Sequence, residues 1–483
     1  MLEWRSYQEV YDGGDNNRNT LANYLCEDKP EAESKTQEEL SPLTQPMKTT
    51  PGRKFFFRSM LEEVLDIRNV QKAFKQVTAN KGAGGIDDMG TDELRDYLNT
   101  GWQTLRKDIL EGNYRPQAVR KVEIRKPEGG TRMLGIPTVI DRLLNQAIAQ
   151  WLNPQYEQEF SNYSYGFREG RNAHQAVMQA QTYLNEGYEW VIELDLEKFF
   201  DRVNHDKLMG LLAKRITDKR TLKLLRSYLN SGIMEDGVII TRTEGTPQGS
   251  PLSPLMSNIV LNELDKELQA RGHRFVRYAD DCSIYVKSEK SAQRVLETIT
   301  EYIESKLKLK VNRTKSKVSR PTESTLLGFS FYRSEKGWEI RIAPKSLKKI
   351  KKKMKEHTNR KAPDSLKGKI KKMEAVIRGW VNYFAIAKAK SKMKELDELV
   401  RTRLRMGVWK QWKRPKTRMA NLQKLGINRQ KSYEWSCSRK GYCRVAHSPI
   451  LCRALNNDYF TRQRYIGFTN YFYWKTEHQT KLF

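Results

Sequence analysis

Apolar residues fall into two rhythms along the chain. In EWVIELDLEKFFDRV (189–203), Val191, Ile192, Leu194 and Leu196 predict a strand that delivers Asp195 near its end. A helix should follow from about Asn204, a good N-cap residue. RFVRY (274–278) and CSIYV (282–286) predict two more strands, joined through Ala279, Asp280 and Asp281. Helical and strand patterns alternate to about residue 343, punctuated by turn signals at NKGAGGID, KPEGG, TPQGSP and SEKGW. From Pro344 the helical period takes over: Ile370, Met373, Ile377, Trp380, Val381 and Phe384 share one face of an amphipathic helix. The remainder, 419–483, is dense in aromatics and Arg, whereas residues 1–66 are polar and read as a mostly disordered tail. The fold expected is α/β over residues 67–343, with a helical domain over 344–418 and a small C-terminal segment over 419–483.

Charge narrows the class of partner. Lys and Arg number 88 against 58 Asp and Glu, and a net charge of +30 points to a polyanion. Residues 1–46 hold ten acids and four bases, so the positive surface belongs to the body. Residues 344–418 carry 26 bases against six acids, which predicts a basic outer face on the helical domain. No apolar run of membrane-spanning length occurs, and the acidic opening MLEWRSYQEVYDGGDNN lacks the pattern of a signal peptide. Five scattered cysteines suit a reducing compartment. Those features predict a bacterial cytoplasmic protein, nucleoid-associated when bound to DNA, with no membrane partner; oligomeric state is left open.

The acids carry the chemistry. An Asp-Asp pair in a turn is ordinarily solvated turn chemistry, but a surface turn does not need apolar strands on both sides and a matching strand ending in Asp some 85 residues upstream. If those strands are neighbours, Asp195 and Asp280 meet across adjacent strand ends, with Asp281 beside them. Three converging carboxylates repel one another unless cations sit between them, and hard oxygen ligands select Mg²⁺. Two such ions clamp the attacking and leaving oxygens of an in-line phosphoryl transfer.

YADD, IELDLEKFFDRVNH, TPQGSPLSPLMSNIVLNELD, KVNRTKSKV and TLLGFSFY follow the order of the reverse transcriptase blocks of group II intron-encoded proteins. NKGAGGID, IRKPEGGTRMLGIPTVIDRLLNQAI and SYGFREGRNAHQAV resemble the fingers blocks of that family, and IRGWVNYF resembles its thumb, or maturase, motif. The resemblance covers roughly residues 70–465 and implies a right-hand polymerase: fingers and palm, a helical thumb, and a C-terminal DNA-binding segment. It implies an RNA-directed DNA polymerase that uses two Mg²⁺ ions and dNTPs, takes a DNA target and primer, binds its own intron RNA and assists splicing and mobility.

Site residues follow from the same resemblance. Asp195, Asp280 and Asp281 would be the metal-binding acids, with Asp280 favoured as direct ligand because consecutive strand residues point to opposite faces. Phe200 would block a ribose 2′-hydroxyl while Phe199 serves the core. Lys126 and Arg132, on a hairpin turning at Gly129-Gly130, would grip the incoming triphosphate. Gln248 and Gly249 would support the templating base and nucleotide, and Lys315 would give a proton to pyrophosphate. Exposed thumb cations Lys348, Lys352, Lys355 and Lys371 are expected to contact RNA phosphates.

KGAGGID lacks the GK[ST] ending of a phosphate loop, and Cys437, Cys443, His447 and Cys452 lack the paired spacing of zinc ligands. The final TRQRYIGFTNYFYWKTEHQTKLF is short for an endonuclease domain, so cutting of the second DNA strand is not expected. Two alternatives remain: a maturase acting only as an RNA-binding splicing factor, and a reverse transcriptase recruited to phage defence or CRISPR.

Overall fold

The computed structural model describes residues 60–125, 131–235 and 237–479. The body begins inside the stretch assigned to the tail. Met60–Val64 is a helix whose Met60, Leu61 and Val64 are buried, and the Leu61 amide donates to Asp218 Oδ2 at 3.3 Å. Five residues are too few to display a helical period, so the sequence groups this turn with the polar stretch before it despite its apolar Met60, Leu61 and Val64.

A four-stranded sheet of order β2-β1-β4-β5 forms the fingers side. β1 (Val119–Arg125) pairs antiparallel with β2 (Thr131–Ile136) and parallel with β4 (Ile233–Glu235), which turns back into β5 (Val238–Ile240). The palm sheet has order β6-β7-β3-β8 and is antiparallel throughout. Its strands are β3 (Trp190–Leu194), β6 (Arg274–Tyr278), β7 (Asp281–Val286) and the short β8 (Lys317–Ser319). Asn204 caps the helix His205–Ala213 as expected, accepting from the Lys207 amide at 2.9 Å.

The near-continuous apolar runs of β3 and β7 are explained by burial on both faces. Ile192, Leu194, Phe275, Cys282, Ile284 and Val286 face a core shared with helices Ser253–Ala270 and Glu289–Tyr302. Val191, Val276 and Tyr285 point the other way, into a second core. That second core runs through the ribbon of β9 (Phe329–Ser334) and β10 (Gly337–Ile342) into the thumb helices Pro344–His357, Leu366–Phe384 and Lys390–Gln411. It ends among Leu451, Phe460, Tyr465, Phe468 and Phe472, so the C-terminal segment packs on the thumb rather than standing alone. Buried Asp397 ties them together: it accepts from the Phe468 and Thr469 amides at 2.8 and 2.9 Å and from the Tyr465 hydroxyl at 2.8 Å. A carboxylate on the free amides of a helix start satisfies donors that have no partner within the helix. Among the described residues no helix is long and apolar enough to cross a membrane.

Candidate active site

The antiparallel register of β3 and β7 places Leu194 opposite Cys282, so Asp195, the next residue after β3, and Asp281, the residue before Cys282, come at the same end of the sheet, near enough for the Asp195 charge to act on Asp281. Asp280 is in the turn between β6 and β7, not on a strand, so the face-alternation argument that favoured it as a ligand does not apply. The turn is tight. Ala279 adopts φ +57°, a left-handed conformation that costs an L-residue roughly 1 kcal/mol or more.

Asp195 is fixed from a third segment. Its amide donates to Ser316 Oγ at 3.0 Å, and its carbonyl accepts from the Asn312 amide at 2.8 Å and the Ser316 hydroxyl at 3.3 Å. Lys315, in the same segment, puts its amine 3.8 Å from Asp195 Oδ2. Asp281 keeps solvent on one side, yet the atoms crowding its carboxyl, followed by the charges of Asp280 and Asp195, push its pKa up to about 6. Among the described residues no three His, Cys, Asp or Glu side chains form a ready-made metal shell. What the strand ends supply is an all-oxygen donor set under mutual repulsion, with one amine at the rim. A hard divalent cation would relieve that repulsion.

Next to the acids the chain turns through Lys198, at φ +48°, into the short helix Phe199–Arg202. Phe199 is buried and Phe200 half-buried, with ring centroids 5.3 Å apart. The TPQG loop leans on this helix: the Thr246 amide donates to the Phe200 carbonyl and the Gly245 amide to the Val203 carbonyl, both at 2.7 Å. The same loop also reaches the fingers. The Gly135 amide on β2 donates to the Gln248 carbonyl at 2.9 Å, and Gly249, at φ +124°, has room for no Cβ, which would lie 2.7 Å from the Gly135 carbonyl oxygen. Gly249 is thus needed both for its conformation and for close approach. The sequence reading missed Gly135, whose neighbours are remote in the chain.

Lys126 and the Gly129-Gly130 turn lie outside the described residues, as does the Arg132 side chain, although Arg132 takes its place in the β1–β2 register opposite Ile124. The four thumb lysines, Lys348, Lys352, Lys355 and Lys371, are exposed and without an acidic partner among the described residues. Beyond them, Arg360, Lys361 and Arg403 line a cavity of about 270 Å³ with Thr358, Asn359 and Met406. Arg360 stacks over Tyr442 at 4.7 Å, and Arg403 is braced by Thr358 Oγ1 at 2.7 Å and the Lys355 carbonyl at 3.0 Å. No acid lines this cavity.

Comparison with known proteins agrees with this layout. The family described as "Reverse transcriptase (RNA-dependent DNA polymerase)" matches residues 124–331, and "Group II intron, maturase-specific domain" matches residues 347–426. Protein YkfC of Escherichia coli (strain K12) is 33% identical over 287 residues, which cover 51% of this chain and 75% of the relative. Group II intron-encoded protein LtrA of Lactococcus lactis subsp. cremoris is 28% identical over 326 residues, 53% of this chain and 54% of LtrA. Among solved structures, a chain of the partial Cas6-RT-Cas1–Cas2 complex is 25% identical, with a TM-score of 0.34, over 51% of this chain and 42% of that one. With a polymerase palm joined to a maturase-matched helical thumb, the chain belongs to the group II intron-encoded reverse transcriptases, RNA-directed DNA polymerases that carry a maturase domain.

Proposed function

We propose that this chain copies intron RNA into DNA at the palm mouth and grips that RNA through the thumb to assist splicing and mobility. The observation that carries the catalytic half is the gathering of Asp195, Asp280 and Asp281 around the ends of β3 and β7, with the Asp281 pKa raised by burial and then by the charges of Asp280 and Asp195. These carboxylates would hold Mg²⁺, which supplies charge neutralisation and activation of the primer 3′-hydroxyl when bound. The hydroxyl attacks the α-phosphorus of a dNTP, the bond to pyrophosphate breaks, and one nucleotide is added to the DNA primer.

This chain's own residues set the conditions for that exchange. Ser316 and the Asn312 amide hold the Asp195 backbone at the end of β3 and so would fix where its carboxylate can meet a metal. Phe200, half-buried with the Phe199 ring 5.3 Å away, would exclude a 2′-hydroxyl. Gln248 and Gly249 would support the templating base and nucleotide, their loop anchored on β2 through the Gly135 amide. Lys315, already within 3.8 Å of Asp195, is the group at hand to protonate pyrophosphate. Lys126 and Arg132 on the fingers would hold the triphosphate. Lys348, Lys352, Lys355 and Lys371, together with the Arg360–Lys361–Arg403 cavity, would grip intron RNA phosphates while a DNA target supplies the insertion site. Such work places the protein in the bacterial cytoplasm, at the nucleoid when it is on DNA.

Primer extension on poly(rA)/oligo(dT) with Mg²⁺ tests the reading directly. Extension that disappears with Asp280→Ala is expected. A wild-type chain that binds intron RNA and aids splicing without extending any primer would leave only the RNA-binding maturase.

A further inference from the structure

Arg277 lies two residues before the Ala279–Asp280 turn and is fully buried, as is its partner Asp265 on the helix Ser253–Ala270. All five guanidinium N–H groups are used. Nε and Nη2 donate to the two Asp265 oxygens at 2.7 and 2.6 Å, and Nη2 also to Ser164 Oγ at 2.7 Å. Nη1 donates to Asn258 Oδ1 at 3.0 Å and to the Ala279 carbonyl at 2.9 Å. The last bond falls on the peptide that leads into Asp280. The same residue's backbone is paired with the 163–165 segment, Arg277 amide to Tyr163 carbonyl at 2.9 Å and Tyr165 amide to Arg277 carbonyl at 2.8 Å.

A second contact presses the turn from the same side. Gly166 sits so close that a Cβ there would lie 2.3 Å from the Ala279 nitrogen, and its carbonyl accepts from Asn258 Nδ2 at 2.9 Å. The remote stretch 161–167 and the helix 253–270 therefore converge on a single left-handed residue of the 274–281 hairpin, Ala279. A buried ion pair contributes little net stability compared with well-packed apolar residues of similar volume. Stability alone does not account for a fully buried Arg whose fork ends on the turn.

We propose that Arg277, buttressed by Asp265, Asn258, Ser164 and Gly166, is the positioning residue that fixes the catalytic turn, so that Asp280 and Asp281 meet Asp195 in the geometry needed for metal and nucleotide. The inference rests on the assignment of those three aspartates as metal-bearing.

The test pairs two variants. Arg277→Met with Asp265→Leu removes both charges together and leaves no buried ion unpaired; Arg277→Lys keeps a charge for Asp265 but loses the planar fork. Both should melt cooperatively and bind RNA as the wild type does. In both, kcat for dTTP addition should fall about 100-fold with KM for dTTP within about threefold, because a displacement of about 1 Å at reacting groups costs that much. The Mg²⁺ concentration for half-maximal rate should rise at the same time. Mn²⁺ binding, read by electron paramagnetic resonance without nucleotide, should weaken in parallel. A folded variant of either kind with wild-type kcat and wild-type Mn²⁺ affinity overturns the proposal. If the wild type itself extends no primer, the polymerase reading falls, and unchanged Mn²⁺ affinity in Arg277→Lys still decides against the positioning role. If the double variant does not fold, Arg277→Lys alone gives the same two readouts.

Discussion

The palm mouth and the outer face of the thumb have opposite electrostatic problems and solve them differently. At the mouth three carboxylates are gathered with one amine at the rim, and each is set by backbone held from several sides: Asp195 by Asn312 and Ser316, the turn by Arg277 and Gly166. On the thumb, Lys348, Lys352, Lys355 and Lys371 stand exposed, without acidic partners among the described residues. The mouth works by position, so one displaced group should abolish its chemistry. The thumb works by summed charge, so each loss should be partial and interchangeable with another.

The largest effect sharpens that contrast. Asp280→Ala should lower primer extension by at least about 1000-fold, while RNA affinity, measured by filter binding, stays within about twofold. Equal loss of both in a folded protein would break the division between mouth and thumb. Phe200→Ala should act more narrowly, leaving dNTP addition within about tenfold and raising the relative use of rNTPs by about 10- to 100-fold in single-nucleotide assays. Unchanged discrimination would move the gate elsewhere.

Substituting the four thumb lysines one at a time by Ala should weaken binding to every RNA alike, by a few-fold each, and flatten the slope of log K against log salt by about 0.7–0.9 per contact. A variant that loses only one RNA sequence would show that these lysines read sequence rather than add summed charge.

The smallest effect is in stability. Asp281 has a pKa raised to about 6, so its proton is bound more tightly in the folded than in the unfolded chain. The stability this gives the metal-free protein is fully present below the unfolded value of about 3.9 and is lost as the pH rises through about 6. In EDTA, Asp281→Asn should therefore raise Tm by about 1–2 °C at pH 7.5 and leave it unchanged near pH 3.5, a small shift because the side chain remains open to solvent. Mg²⁺ should remove the advantage at pH 7.5, since it stabilises the three carboxylates only while all are ionised.

Much of this was legible before any fold was known, and for definite reasons. Val191, Ile192 and Leu194 mark β3 because a strand buried on both faces must be apolar throughout, and Asn204 marks a helix start because its side chain replaces a missing backbone acceptor. Ile370, Met373, Ile377, Val381 and Phe384 mark the thumb helix Leu366–Phe384 by their period alone. These are local properties, written within a few residues of one another. The hairpin boundary lies one residue from where the sequence predicts it for a local reason too: the joining stretch is expected to hold Ala279, Asp280 and Asp281, but Asp281 already opens β7, because an acid beside a turn looks like turn in the sequence.

What the sequence by itself determined is most of the long elements, the basic thumb and the choice of candidate acids, because periodicity, composition and blocks of residues are one-dimensional. Only the tertiary structure decided that β3 and β7 are neighbours that bring Asp195 and Asp281 to one end of the sheet, that Gly135 anchors the TPQG loop, that Met60–Val64 belongs to the body, and that the C-terminal segment hangs on Asp397. Above all it decided the meaning of Arg277. In the sequence it is a polar residue in a strand among many arginines; in the fold its five donors are shared among a helix, a loop and the turn that carries the acids. Four of those five donors go to partners 12 to 113 positions away, and no local pattern carries that information.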